Sequence, residues 1–190
     1  MPIVKMKQRY SEKRPLGHLF AVQNLPDEID FDFERVFTRF SSYVASVALR
    51  LLGDDTAVDD VVQDVFLDCY RQFNCLQSME HARRWLVKVT VRKAIRRIRR
   101  QKLARFLNLS DPGIPEPSVP LVTADERAQL IMLYALLERI PVKERMAWSL
   151  RYLEGAEISE VAYACGCSLA TAKRRIRAAQ QMIKGEDHDE

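Results

Sequence analysis

The stretch from Arg83 to Arg105 reads RRWLVKVTVRKAIRRIRRQKLAR and contains eleven Lys or Arg residues and no Asp or Glu. Its apolar residues recur at steps of three and four, at Val87, Val91, Ala94, Ile95 and Ile98. This period predicts an α-helix with one apolar face and with its cations on the remaining surface. Cations at this density repel one another, and nucleic acid relieves the repulsion because each neutralised phosphate releases counterions. A nucleic-acid-binding helix is therefore favoured over a basic face that only keeps the protein soluble.

The composition of the whole chain is that of a globular protein. Of its 190 residues, 47% are hydrophobic and 29% charged, and the formal net charge is +4, so one ordinary domain or two small ones are expected. No apolar run reaches the roughly 18 residues of a membrane-spanning helix, and the N-terminus lacks the apolar core of a signal peptide. We therefore expect a cytoplasmic protein without membrane insertion. Small buried positions, rather than a metal or redox site, are expected for the four cysteines: Cys69, Cys75, Cys165 and Cys167.

Two further amphipathic helices are predicted before the basic stretch. Apolar residues at steps of three and four run from residue 33 to 51 and from 58 to 73, and Gly53 ends the first helix. Phe37 and Tyr70 belong to these apolar stripes. The other side of the second helix carries polar residues, at Asp59, Asp60, Gln63, Asp64 and Asp68. These acids either pair with the basic helix inside a compact domain or form a surface for a basic protein partner, and periodicity does not decide between the two.

Irregular segments separate the predicted helices. A short polar connection at residues 74–82 leads to Trp85. This side chain either stacks on an unpaired base or packs in the core, and packing in the core is the favoured interpretation. Four prolines and a glycine at residues 112–120 exclude a regular helix and indicate an extended, semi-rigid linker. The sequence thus predicts an all-α protein of two small helical domains. Its parts are an N-terminal extension (1–30), a first domain (31–106), a linker (107–122), a second domain (123–184) and a tail (185–190).

The second domain contains a predicted helix-turn-helix between Ile158 and Ile183. Gly166 supplies a residue that tolerates positive φ at the turn, and Ser168 can cap the second helix. Ala172, Ile176 and Ala179 form the inner face of that helix. The candidates for phosphate and base contacts are Ser168, Ala170, Thr171, Lys173, Arg174 and Arg177. Ordinary helical hairpins can show the same pattern.

Several motifs, in a fixed order, resemble the bacterial sigma-70 family, specifically its small two-domain extracytoplasmic-function (ECF) group. Those similar to the family's region two are LRLLGD (49–54), AVDDVVQDVFL (57–67), RWLVKV (84–89) and AIRRIRR (94–100). Those similar to region four are Ile140-Pro141, RYLEG (151–155) and the stretch 158–179. The resemblance spans about residues 33–184 and is interrupted only by the linker.

The resemblance implies a transcription initiation factor without catalysis or cofactor. It implies that this chain binds core RNA polymerase through the β′ clamp helices and the β flap, and promoter DNA through both domains. By position, the clamp-helix surface consists of Asp60, Gln63, Asp64 and Leu67. The residues for the minus-ten element, which the basic helix helps to melt, are Arg83, Arg84, Lys88, Arg92, Arg96 and Arg99. The helix from Ser168 would read the minus-thirty-five element, and an anti-sigma factor is a further implied partner.

The chain departs from the family pattern at a few positions. Arg92 and Arg96 stand where the family usually has Asn and Asp, which puts the family's minus-ten sequence rules in doubt. Glu157 replaces the usual hydroxyl cap of the helix-turn-helix, and Cys167 replaces an aliphatic residue. Two other functions stay open: a helix-turn-helix regulator that acts without polymerase, and a nucleic-acid hydrolase. The regulator does not explain the acidic helix or the linker. Against the hydrolase, the acids lie on one helix beside apolar residues and the sequence shows no catalytic constellation.

Overall fold

The structure is a computed structural model that describes residues 31–53, 57–107 and 124–185, and within these ranges it contains seven α-helices and no strand. The helices are α1 (Phe33–Leu52), α2 (Val58–Arg71), α3 (Met79–Phe106), α4 (Ala124–Arg139), α5 (Val142–Tyr152), α6 (Ile158–Ala164) and α7 (Leu169–Gly185). The predicted all-α fold is confirmed. The N-terminal extension, the prolines of the linker and most of the tail lie outside the described residues.

The first three helices pack on one another, and their ends follow from local capping. The Asp32 carboxylate accepts a hydrogen bond from the Arg35 amide at 2.8 Å at the start of α1. Gly53 ends α1 with φ +74° and donates its N–H to Leu49. Helix α3 begins earlier than predicted, because Ser78 caps it at the His81 amide. Residues 79–82, predicted as part of a connection, are therefore the first turn of α3.

The core of this helical unit contains most of the residues in the predicted stripes. Phe40, Val44, Val65 and Leu86 are at most 2% exposed, and Trp85 packs partly buried against the same core, as favoured. Two predicted core positions are wrong, since Tyr70 is 68% and Phe37 45% exposed. Both rings lie at the edge of an aromatic group at the N-terminal end of α1, where they contact Phe33 and Phe66.

Helices α5 to α7 form the second unit, with α4 beside them. Gly166 has φ +59° at the turn between α6 and α7, and the Ser168 hydroxyl accepts from the Thr171 amide at 3.2 Å, so the predicted helix-turn-helix is present. Glu157 and Glu160 cap the start of α6 reciprocally. The glutamate at the usual hydroxyl position therefore still caps the helix.

The two units share an interface that the sequence did not predict. Helix α3 packs against α5 and α6, and buried residues of both units join in one apolar core. The buried Arg145 donates hydrogen bonds to the carbonyls of Leu51 and Leu52 at 3.1 and 3.0 Å. A second link is the ion pair between Arg50 and Glu154, whose side chains are 12% and 8% exposed.

Candidate nucleic-acid interface

The acidic side of α2 presents a continuous exposed line. Asp60, Gln63, Asp64 and Leu67 are all exposed, at the spacing that places residues along one face of a helix. Leu67 is 54% exposed, which is high for an aliphatic side chain. The structure therefore brings the four residues proposed for the clamp helices together on one surface.

The acids of α2 divide between the two roles that the sequence left open. Asp68 pairs with Lys93 of α3 at 2.9 Å and with Arg92 at 3.4 Å, and Asp64 reaches Lys93 at 3.6 Å. Within the described residues Asp60 makes no ion pair. The C-terminal acids thus help to hold α2 on α3, whereas the N-terminal end of the acidic face remains available to a partner.

The basic helix α3 also has two distinct halves. Arg92, Arg96 and Arg99 lie exposed along its C-terminal half. Arg84 and Lys88, in the N-terminal half, lie over the ring of Tyr163 in α6 at 4.6 and 4.8 Å from its centroid. The six cations proposed for the minus-ten element share one helix, but those at its start contact the second unit.

Arg83 is the most constrained of these cations. Its Nη2 lies 3.1 Å from carboxylate oxygens of both Glu80 and Glu160. The hydrogen bonds that Arg83 donates to Glu80, opposed by burial and supported by Tyr43 and Glu160, raise the pKa of Arg83 above its usual value. Burial alone would raise the pKa of Glu160, but the Glu157 amide and Arg83 together bring that pKa below its usual value. The contact therefore joins two fully charged groups at neutral pH.

The second helix of the helix-turn-helix, α7, presents a polar outer face. Ser168, Ala170, Lys173, Arg174 and Arg177 are exposed and Thr171 is half-buried. The opposite face, with Ala172, Ile176, Ala179 and Ile183, is buried. The structure thus places Ala170, Lys173, Arg174 and Arg177 on the outer face of α7, with Thr171 at its border and Ser168 as the cap before it. This geometry is suited to a major groove.

Some residues of these surfaces had no signal in the sequence. Glu160 and Tyr163 contact the basic helix only because α6 packs against it, and a pairing over such a separation leaves no periodic trace. Tyr70 follows Leu67 by one turn of α2 and extends the exposed side of that helix with an aromatic ring. Its position in an apolar stripe led to the incorrect prediction of burial.

The cysteines and acids of the described residues do not assemble into a metal-binding group. Cys69 is buried, and burial raises its pKa to about 11. Burial, with the neighbouring Cys167 adding to the effect, raises the pKa of the half-buried Cys165 to about 12. The expectation of burial is wrong for Cys75, which is exposed. Across the described helices, none is both long and apolar enough to cross a membrane.

Comparison with protein families gives two matches in the order expected. Residues 36–104 match the family model for sigma-70 region 2, and residues 130–182 match the model for sigma-70 region 4. The ECF RNA polymerase sigma-E factor of Escherichia coli K12 is 28% identical over 165 residues, covering 80% of this chain and 84% of that protein. The ECF RNA polymerase sigma factor SigK of Mycobacterium sp. KMS is 26% identical, with 83% and 84% covered. The chain therefore belongs to the sigma-70 family, as an RNA polymerase sigma factor of its ECF group.

Solved structures share the same fold. The sigma factor RpoE of Bartonella quintana, bound to the anti-sigma factor NepR, superposes with a TM-score of 0.62 at 18% identity, covering 81% of this chain and 95% of that one. CnrH in complex with the cytosolic domain of CnrY gives a TM-score of 0.58 at 22% identity, with 83% and 89% covered. These likenesses concern the arrangement of helices.

Proposed function

We propose that this chain binds core RNA polymerase through α2, engages the minus-ten element with α3 and reads the minus-thirty-five element with α7. The observation that carries the proposal is the separation of charge between neighbouring helices: an exposed acidic face on α2 lies beside an exposed basic face on α3. One protein can therefore present a surface to a basic protein partner and another surface to DNA. In this role it has no catalytic step of its own, and it acts in the cytoplasm beside the polymerase and the chromosome.

The α2 surface suits a helical, basic partner such as the clamp helices of the β′ subunit. Asp60 supplies a charge without an intramolecular ion pair in the described part of the chain, and Leu67 and Tyr70 supply apolar area one helical turn apart. Complementary charge accelerates encounter and fixes orientation, whereas buried apolar and aromatic contacts supply most of the binding energy of interfaces.

The two DNA-binding surfaces have different roles: α3 assists strand opening and α7 recognises duplex DNA. The exposed cations Arg92, Arg96 and Arg99 give α3 a line of phosphate contacts, which is independent of sequence. On α7, Lys173, Arg174 and Arg177 flank smaller residues that can approach base edges in a major groove. We propose the β flap as the support for the second unit, and an anti-sigma factor as a further partner. The complex of the structural relative RpoE with the anti-sigma factor NepR supports the latter.

The test is binding to core RNA polymerase by the variant Asp60→Lys, with Asp59→Lys as its control. Both acids are exposed in the first turn of α2, so both substitutions change the helix dipole interaction equally. Only Asp60 lies on the proposed surface, so we expect its variant to lose about tenfold or more in core affinity and the control to lose little. Equal affinities of the two variants would contradict the assignment of the α2 face.

Transcription from a genomic fragment pool then tests initiation by the reconstituted holoenzyme. Discrete new start sites are expected with the wild-type chain. A regulator that acts alone would instead bind duplex promoter DNA without polymerase and would leave the start sites of the enzyme unchanged.

A further inference from the structure

Three large apolar side chains lie exposed beside the acidic residues of α2. Leu67 and Tyr70, one helical turn apart, are 54% and 68% exposed, and Phe37 of α1 is 45% exposed. The ring of Phe33 joins the two aromatic residues, with its centroid 5.2 Å from that of Tyr70 and 6.4 Å from that of Phe37. Phe37, Leu67 and Tyr70 thus form one apolar patch. Contiguous apolar surface of this kind marks a site of interaction.

The N-terminal extension is attached to the protein at the edge of this patch. Residues 1–30 lie outside the described residues, and the ring of the residue that follows them, Phe31, stacks on Phe73 with 4.9 Å between the centroids. Phe73 in turn contacts Phe33 edge-on, at 6.1 Å. Attachment at this point gives the nearby part of the extension an effective concentration in the millimolar range at the apolar patch.

The extension has the side chains that would complement this side of α2. Residues 16–25 contain no Asp, Glu, Lys or Arg, and half of them have large apolar side chains: Leu16, Leu19, Phe20, Val22 and Leu25. Residues 5–14 contain a single acid, Glu12, and five cations: Lys5, Lys7, Arg9, Lys13 and Arg14. The extension therefore consists of an apolar stretch close to its attachment point and a basic stretch farther away.

The α2 face from Tyr70 back to Asp60 has the matching order. Its apolar end, at Leu67 and Tyr70, lies next to the attachment point of the extension, and its acidic end, at Asp64 and Asp60, lies farther away. The rise of α2 between Tyr70 and Asp60 is about 15 Å, whereas ten residues of extended chain span up to about 33 Å. With residues 16–25 on the apolar patch, the cations of residues 5–14 can therefore reach the acids.

We propose that the N-terminal extension occupies the α2 face of the free protein, with residues 16–25 on the apolar patch and the cations of residues 5–14 beside Asp60 and Asp64. Burial of the apolar side chains supplies the free energy of this contact, and the complementary charges fix its orientation. The inference rests on the proposed function of α2 and adds an intramolecular competitor to it, because core polymerase needs the same face.

A weak contact is sufficient for such competition because the extension is attached to the same chain. If the segment alone bound α2 with a dissociation constant of about 0.1 mM, an effective concentration of about 1 mM would leave about one molecule in ten with a free α2 face. The apparent affinity for core polymerase would then be about tenfold below that of the free face.

The test uses full-length variants in which only the extension is changed. Leu19→Ser combined with Phe20→Ser removes two apolar side chains from residues 16–25, and Ile3→Ser combined with Val4→Ser is the matched control outside that stretch. Amide NMR spectra without polymerase report the contact directly. The signals of residues 58–71 should shift in the Leu19/Phe20 variant, because the α2 face becomes uncovered, and should stay in place in the control.

Affinity for core RNA polymerase should rise about tenfold in the Leu19/Phe20 variant and stay at the wild-type value in the control. Unchanged α2 signals in the Leu19/Phe20 variant, equal shifts in both variants, or an unchanged core affinity would overturn the inference. Wild-type α2 signals that depend on protein concentration would assign the apolar patch to a second copy of the chain and would overturn it too. Absence of core binding by all three proteins would contradict the proposed function instead, whereas the NMR comparison needs no polymerase and still decides whether the extension covers α2.

Discussion

Replacing Arg145 with Ala should uncouple the two helical units and destabilise the protein. Arg145 is 3% exposed and lies on α5, yet its Nη2 donates to the carbonyls of Leu51 and Leu52 in the last turn of α1. Carbonyls at this position lack intrahelical partners, and a cation there interacts favourably with the helix dipole. Burial lowers the pKa of Arg145, with Tyr134 and Glu138 opposing the effect.

The size of the effect follows from these contacts. A hydrogen bond from a charged donor contributes about 1.5–3 kcal/mol. If the units stay together around the unpaired carbonyls, the loss of two such bonds lowers the free energy of unfolding by at least about 3 kcal/mol. If the units instead separate, water reaches Leu51 and Leu52, and the loss is limited to the free energy that holds the interface closed. The two cases differ in whether the units still unfold together.

Tryptophan fluorescence during urea unfolding distinguishes them, because Trp85 lies in the first unit and Trp148 in the second. Variants that keep one tryptophan each should show coincident transitions in the otherwise wild-type chain, as expected for a shared core. With Arg145→Ala the midpoints should fall and separate. Lys143→Ala, at an exposed position on the same helix, should change stability by less than about 0.5 kcal/mol. A midpoint of Arg145→Ala equal to that of Lys143→Ala would refute the reasoning.

Two further predictions use matched positions. Gly53→Ala should lower the thermal midpoint more than Gly166→Ala. Both glycines have positive φ, a conformation that destabilises an alanine by about 1–2 kcal/mol. Only at Gly53 would the new Cβ also overlap the Tyr134 ring. Equal midpoints would show that the ring yields freely. Replacing both Lys173 and Arg174 with Ala should weaken recognition of the upstream promoter element, measured as a lost preference among promoters in the fragment-pool transcription. The control Lys184→Ala, at the end of α7, should keep that preference. An unchanged preference in the double variant would show that the outer face of α7 does not read the element.

Local features were predictable from the sequence because their causes are local. The αL residue Gly53 ends α1 and the hydroxyl of Ser168 caps α7, each where the pattern of apolar residues stops. The outer face of α7 followed from a period that any buried helix must obey. Such signals depend on residues within one or two turns of each other, and sequence shows these directly.

The contacts between the units could not be predicted from the sequence, because residue type and apolar periodicity do not show which distant residues pack together. Arg145 has a residue type that is almost never fully buried without partners, and its partners are backbone carbonyls, which carry no sequence signal. Tyr70 shows the reverse: its place in the stripe of α2 favoured burial, but its ring touches Phe33 only at the edge of the aromatic group and stays exposed. Periodicity shows on which side of a helix a residue lies, but not how completely the neighbouring helices cover that residue.

Exposure separates the cations of α3 that hold the fold together from those that are available to DNA. Arg92 and Arg96, which depart from the family pattern, belong to the second group. The side chain of Lys93 is 14% exposed and holds Asp68 at 2.9 Å, whereas that of Arg92 is 60% exposed and only approaches the same carboxylate at 3.4 Å. An exposed pair contributes at most about 1 kcal/mol, so a phosphate can replace Asp68 on Arg92 while Lys93 keeps α2 in place. Arg96 is exposed and pairs with no carboxylate in the described ranges, so it needs no exchange of partner. The acids of α2 thus fix the inner cation of the helix and leave its outer cations to the nucleic acid.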